Sequence, residues 1–211
     1  MNAMTENAYP ARLAIDYPEG ERDRLTVFFR LFMVIPIAVV LALISPESMF
    51  GEGTNWGFIC GWGGFLFLPL VLMILFRQKY PQWWFDWNLA MMRFTTRVTA
   101  YFALLRDEYP STDEEQSVHL EIEYPDAQQD LKRWLPLVKW FLAIPHYVAL
   151  FFLGIVALVI MILAWFSIVI TGRYPREWFD LIVGIERWYL RVMAYAFLLV
   201  TDEYPPFSLD E

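Results

Sequence analysis

Two sets of charged residues recur at one spacing. Asp86, Arg93, Arg97 and Tyr101 are answered by Asp180, Arg187, Arg191 and Tyr195. At 100° per residue, Asp86, Ala90, Arg93, Arg97 and Tyr101 share a helical stripe roughly 80° wide, and Asp180, Gly184, Arg187, Arg191 and Tyr195 form its twin. If the two stripes face each other, four guanidinium forks and two carboxylates make one polar site for an anionic lipid headgroup or a partner's tail, because the fork matches phosphate geometry. The plainer reading is a solvated face near lipid phosphates. Asp86 and Asp180 then sit at N-terminal turns, where the helix dipole favours negative charge.

Three further ionisable groups lie in apolar surroundings. His146 follows Pro145 inside a long apolar run, and an ionisable group at membrane depth is a functional candidate. As plain structure, its neutral imidazole N–H would satisfy a carbonyl freed by Pro145. Arg30 and Lys139 each stand six residues before a proline, Pro36 and Pro145. Snorkelling to the headgroups explains both, and contact with a lipid phosphate is the alternative. Gly53, Gly57 and Gly61 recur every fourth residue, a spacing that lets helices approach closely and that would serve internal packing, self-association or a partner helix.

Other chemistry is thin. One cysteine, Cys60, excludes an intramolecular disulfide framework, and two histidines, His119 and His146, make a metal site weak. No phosphate loop, nucleophile elbow, zinc-protease or dinucleotide motif is found, and no cofactor is expected. The chain of 211 residues is 58 % hydrophobic and only 19 % charged, with a net charge of −8. That composition is too apolar for an ordinary soluble domain, and no basic surface awaits nucleic acid.

The elements that must hold these residues follow from hydropathy. Apolar runs over about 25–44 and 57–76 are long enough to span a bilayer. From Trp134 to Ile170 the only ionisable groups are Lys139 and His146. One helix of that length would reach roughly 55 Å, so Gly154 is read as the turn of a hairpin with spans about 134–152 and 155–171, a re-entrant pair being the alternative. Interfacial amphipathic helices are expected over about 82–100 and 176–194, apolar side on lipid. Arg12–Tyr17 and Val118–Tyr124 alternate apolar and polar residues, the period of a half-buried strand. Seven of the 13 prolines follow a tyrosine (10, 18, 81, 110, 125, 175 and 205) and read as chain-reversal corners.

The chain reads as a tandem duplication. Ala14-Ile15-Asp16-Tyr17-Pro18 matches Glu121-Ile122-Glu123-Tyr124-Pro125. Lys79-Tyr80-Pro81 matches Arg173-Tyr174-Pro175, and Asp107-Glu108-Tyr109-Pro110 matches Asp202-Glu203-Tyr204-Pro205. Repeat 1 takes 1–110, a linker 111–117 and repeat 2 118–211. The expected fold is therefore an all-α membrane protein: four transmembrane helices in two parallel repeats, each followed by an interfacial helix, with short cytoplasmic β-strands. The loop Ser45–Trp56 holds no Lys or Arg, so the basic residues mark the other side as cytoplasmic. Both termini would lie there, in a multi-pass protein of the bacterial inner membrane.

Ala143-Ile144-Pro145-His146, Gly172-Arg173-Tyr174-Pro175, Trp178-Phe179-Asp180, the run Glu186 to Tyr195 and the close Thr201 to Phe207 together resemble a bacterial membrane family, the domain-of-unknown-function family numbered 4389. The resemblance extends over nearly the whole chain and is closest from His119 to Leu209. The first repeat departs from it, with Ile37 in the place of His146 and Lys79 lacking a preceding glycine. The resemblance implies a duplicated membrane protein and supplies no reaction.

The expected function is non-enzymatic: an accessory or scaffold subunit that binds membrane lipids or a larger membrane complex at its cytoplasmic face. A small transporter or channel with a path between the repeats past His146, Arg30 and Lys139 is one alternative, and a membrane lipid enzyme another.

Overall fold

The computed structural model describes residues 9–18, 20, 22–44, 64–112, 114 and 116–210. Gly53, Gly57 and Gly61 lie outside these residues. In chain order the elements are β1 (Ala11–Ile15), α1 (Arg24–Ile44), α2 (Gly64–Arg77), α3 (Gln82–Phe102), β2 (Val118–Ile122), a 3-10 turn (Leu135–Leu137), and then α4 (Lys139–Leu142), α5 (Ile144–Thr171) and α6 (Arg176–Ala196).

The alternating strands form as expected and pair antiparallel, with Leu13 opposite Leu120 and Ala11 opposite Ile122. Ala11, Leu13 and Ile15 face inward with Val118, Leu120 and Ile122, while Arg12, Asp16, His119, Glu121 and Glu123 face outward. A two-stranded sheet is marginal by itself and needs cover. The amphipathic helices supply it crosswise. The later helix α6 packs on β1, and the earlier helix α3 packs on β2.

Each crossing is pinned by an arginine from the charged stripe. Arg187 Nε donates to the carbonyl of Leu13 at 2.9 Å, and Arg93 Nε donates to the carbonyl of Leu120 at 3.1 Å. The Tyr-Pro corners cross over too. Tyr17 Oη donates to the Tyr174 carbonyl at 2.6 Å, and Tyr124 Oη to that of Tyr80 at 2.5 Å.

The apolar sides expected to rest on lipid are thus spent on protein. Phe179, Ile182, Val183, Leu190 and Met193 of α6 are all buried, as are Phe85, Met92 and Phe94 of α3. Gly184 allows the C-terminal tail to cross α6 closely: a Cβ there would stand 2.9 Å from both Cβ and the carbonyl oxygen of Leu209.

Four spans are not found among the described residues. Among the described residues one helix, Ile144–Thr171, is long and apolar enough to cross a membrane. The expected first span coincides with α1, which carries Arg24, Arg30 and Pro36. Of the second, the described part is the 14-residue α2. The expected hairpin 134–152/155–171 is replaced by the turn at Leu135–Leu137, the short α4 and the 28 continuous residues of α5.

Gly154 does not turn the chain. A helical glycine costs only about 1 kcal/mol, and this one is exposed with nothing within 4 Å of its missing Cβ, so the leucines, valines and isoleucines on both sides carry the helix through. It ends where the local chemistry demands, at Gly172 in the left-handed region (φ 75°), whose N–H bonds the Ile168 carbonyl at 2.7 Å.

Candidate functional site

Arg30 is the best-enclosed cation of the first half, at 2 % exposure. Its Nη1 donates to the Arg106 carbonyl at 2.9 Å and to that of Tyr101 at 3.3 Å, and its Nη2 pairs closely with Asp107. The guanidinium also lies 4.5 Å from the centre of the Tyr101 ring. A second buried guanidinium reaches the same carboxylate: Arg22 Nη1 stands 3.0 Å from Asp107 Oδ1. Arg22 further bonds the carbonyls of Leu104 at 2.8 Å and Leu105 at 2.6 Å.

Those carbonyls are presented by a strained turn, for Leu104 has φ 63°. That is a costly conformation for a side chain with a Cβ and one that gathers at functional sites. Sequence supplies no hint of Arg22, because its partners lie more than eighty residues away.

The second half builds the matching seat differently. Lys139, fully buried, places Nζ 2.7 Å from Asp202 and donates to the Thr201 carbonyl at 2.7 Å. It stands 5.2 Å from the Tyr195 ring centre, and Leu199 repeats the strained turn at φ 56°. Burial pushes the Lys139 ammonium below its ordinary pKa, while Asp202 pulls it back up.

The difference is the charge balance. Lys139 has Asp202 to itself, whereas Arg22 and Arg30 share Asp107, and the Nε–H of each arginine is buried without an acceptor. Guanidinium cannot shed its proton. The first seat therefore keeps one unbalanced positive charge and two unused donors.

Next to this seat opens an apolar cavity of about 300 Å³, walled by Arg30, Phe102, Leu104, Met161, Ile162, Trp165 and Phe166. That is the lower end of ligand-sized pockets. It lies between α1, the end of α3 and α5.

The four stripe arginines do not converge on one site. Besides the contacts of Arg93 and Arg187 to the strands, Arg97 Nη1 bonds the Ser111 carbonyl at 2.8 Å. Arg191 bonds the carbonyls of Asp210, at 2.8 Å, and Ser208. They brace the sheet, the linker and the tail, while Asp86 and Asp180 are exposed.

His146 also differs from expectation. Pro145 sits in the first turn of α5 and frees no carbonyl. The imidazole instead accepts a hydrogen bond, from Trp188 Nε1 to Nδ1 at 3.0 Å, and stacks on Phe207 at 4.0 Å. It holds α5, α6 and the tail together, while Arg30 and Lys139 occupy their own seats.

One polar group outside the sequence candidates is Glu186. With Thr95, Thr96, Thr99 and Tyr189 it lines a gap of about 20 Å³ between α3 and α6, above Leu13, room for a single water. The Thr95 hydroxyl is buried there without a partner. Burial raises the Glu186 carboxyl to about 7. The only signal in the sequence is a carboxylate standing where the first repeat has Met92.

Residues 134–208 match the family model described as Domain of unknown function (DUF4389). The match takes in α4, α5, α6 and the tail, and so includes the Lys139–Asp202 seat. The Arg22–Arg30–Asp107 seat lies outside it, so the resemblance expected over nearly the whole chain is met by the DUF4389 segment alone. No curated protein and no solved structure matches the chain.

Proposed function

We propose that this chain is a non-enzymatic, membrane-bound accessory protein that holds one anionic amphiphile in the cavity beside Arg30. The observation that carries the reading is the shared Asp107. Two buried guanidinium groups face one carboxylate, and an unbalanced buried charge is costly until a counter-charge arrives. An anionic head at the seat would supply that charge and accept from a free Nε–H, while its tail lies along Phe102, Met161 and Phe166. Each buried methylene would add about 0.8 kcal/mol. Phosphate and carboxylate heads share this chemistry.

The matched seats, corners and strained turns support reading the two halves as copies of one unit. On that reading the DUF4389 segment is the balanced copy, and the first copy has acquired the ligand site. The expected place is the cytoplasmic leaflet of the inner membrane, where the complex would serve a larger membrane assembly.

The test is purification of the full chain in mild detergent, with mass spectrometry of the lipid that stays bound. Retained lipid is expected to be anionic, phospholipid and fatty acid being told apart by mass. Ile162→Trp, which fills the cavity wall, is expected to cut the retained amount at least fivefold. Retention unchanged in this variant, or a neutral lipid in the site, would overturn the reading.

A further inference from the structure

The helix long enough to cross a bilayer is tied to the rest of the molecule at both ends. At its start, Ala143 is fully buried against Val192, Tyr195 and Ala196 of α6, and His146 accepts the Trp188 indole. At its finish, Ala164 and Ile168 are fully buried in the main core, and the Gly172 carbonyl accepts the Arg22 backbone N–H at 3.0 Å. Between these points the packing hardly lapses. Leu150 and Leu153 rest on one buried cluster, and Ile160, Met161 and Trp165 on the other. These positions follow the three-to-four residue spacing of one helical face.

The opposite face meets no other element among the described residues. Val148, Ile155, Val156, Leu158, Ile162 and Leu163 are all exposed and cover an arc of roughly 160°. The helix is thus apolar on both sides, with one side already occupied.

We infer that α5 lies along the membrane plane, sunk into a single leaflet, and does not stand across the bilayer. At 1.5 Å per residue it is roughly 42 Å long, beyond the ~30 Å hydrocarbon core. The decisive point is what runs beside it. Because the start of α5 touches the later half of α6, the two helices run antiparallel, and α6 carries Asp180, Glu186, Arg187 and Arg191. Beyond α6 is a sheet whose outer face presents Arg12, Asp16, Glu121 and Glu123. If α5 crossed the bilayer, it would carry this charged layer into hydrocarbon, where ionisable groups are heavily disfavoured. Laid flat, α5 keeps the layer in water and presents its free arc to acyl chains.

The exposed tryptophans Trp134 and Trp140 at its start suit the headgroup level. Lipid is the occupant the shape favours, because an arc this wide is covered by a fluid more readily than by one protein face. This inference does not depend on the amphiphile beside Arg30.

The experiment uses the full chain in sealed vesicles of phosphatidylethanolamine and phosphatidylglycerol, with Cys60→Ser as background. Lys132→Cys and Arg173→Cys flank α5. Both are expected to react with a membrane-impermeant maleimide added to the same side, and labelling from opposite sides would overturn the inference. Nitroxides are then attached through Val148→Cys, Ile155→Cys and Ile162→Cys. All three are expected at one shallow depth, within about 10 Å of the headgroups. A depth that deepens to mid-bilayer at Ile155, or spin–spin broadening between copies in place of lipid contact, would also overturn it.

Discussion

Arg22 and Arg30 direct their guanidinium groups to the same carboxylate oxygen, Oδ1 of Asp107. The corresponding carboxylate of the second half, Asp202, pairs with a single cation, Lys139, and also accepts from the Lys132 backbone N–H at 2.6 Å. The two seats share a strained leucine turn, an aromatic ring over the cation and a carbonyl from the segment after the helix, and differ in the number and kind of cations per carboxylate.

That contrast predicts unequal costs for removing the carboxylate. Asp107→Asn strands two cations that cannot neutralise themselves, and it should destabilise by about 3 kcal/mol, allowing for the partial exposure of Asp107. Asp202→Asn strands a lysine already biased toward its neutral form and should cost about 1–2 kcal/mol. Thermal unfolding of both variants in one detergent checks the order, and a larger loss for Asp202→Asn would refute it.

The Glu186 carboxyl gives a pH dependence with a definite sign. Its pKa is about 7 in the folded chain against an ordinary 4.5, so folding binds a proton between those values. Stability is full below about pH 4.5 and declines as pH rises to about 7. The loss is about 2 kcal/mol once partial exposure of the group is discounted. Glu186→Gln should flatten this part of the melting-temperature profile; an unchanged slope would show that another group is responsible.

Arg93 and Arg187 make the same crossing contact to strands of opposite halves. Arg93→Met and Arg187→Met should each cost about 1–2 kcal/mol, the range for a hydrogen bond from a charged donor at a partly exposed site. Hydrogen exchange at Leu120 and Leu13 is the sharper readout. Each variant should loosen mainly the strand its arginine holds.

Gly184 should not tolerate a methyl group. In an open helix Gly→Ala gains up to about 1 kcal/mol, but here the added carbon meets the Leu209 backbone. Gly184→Ala should lift the tail off α6 and release Phe207 from His146. Limited proteolysis after Pro205 would then become faster than in the parent chain, and equal rates would contradict the close approach.

Much of the local structure was legible. Period-two alternation marked β1 and β2. The apolar pattern behind Trp84–Asp86 and Trp178–Asp180 marked α3 and α6 to within two residues at their ends, and the prolines of two Tyr-Pro pairs, Pro81 and Pro175, stand immediately before them. These signals depend on neighbours a few residues apart. The four-span expectation failed because hydropathy reports that a face avoids water and not what covers it. The buried faces of α3 and α6 looked like lipid contacts and are protein contacts. Gly154 misled for a related reason: glycine permits a turn, but nothing nearby required one.

By itself, the sequence determined which segments coil, which alternate and which residues recur, since backbone geometry and the 2 and 3.6 periodicities act over short distances. Only the tertiary structure decided that each helix covers the other half's strand, that α5 runs unbroken between two anchored ends, and that Arg30 shares its carboxylate with Arg22. Those outcomes join groups such as Arg30 and Asp107, 77 residues apart, and a charge-pairing partner at that separation is chosen by how the surfaces close on each other, which no local pattern records.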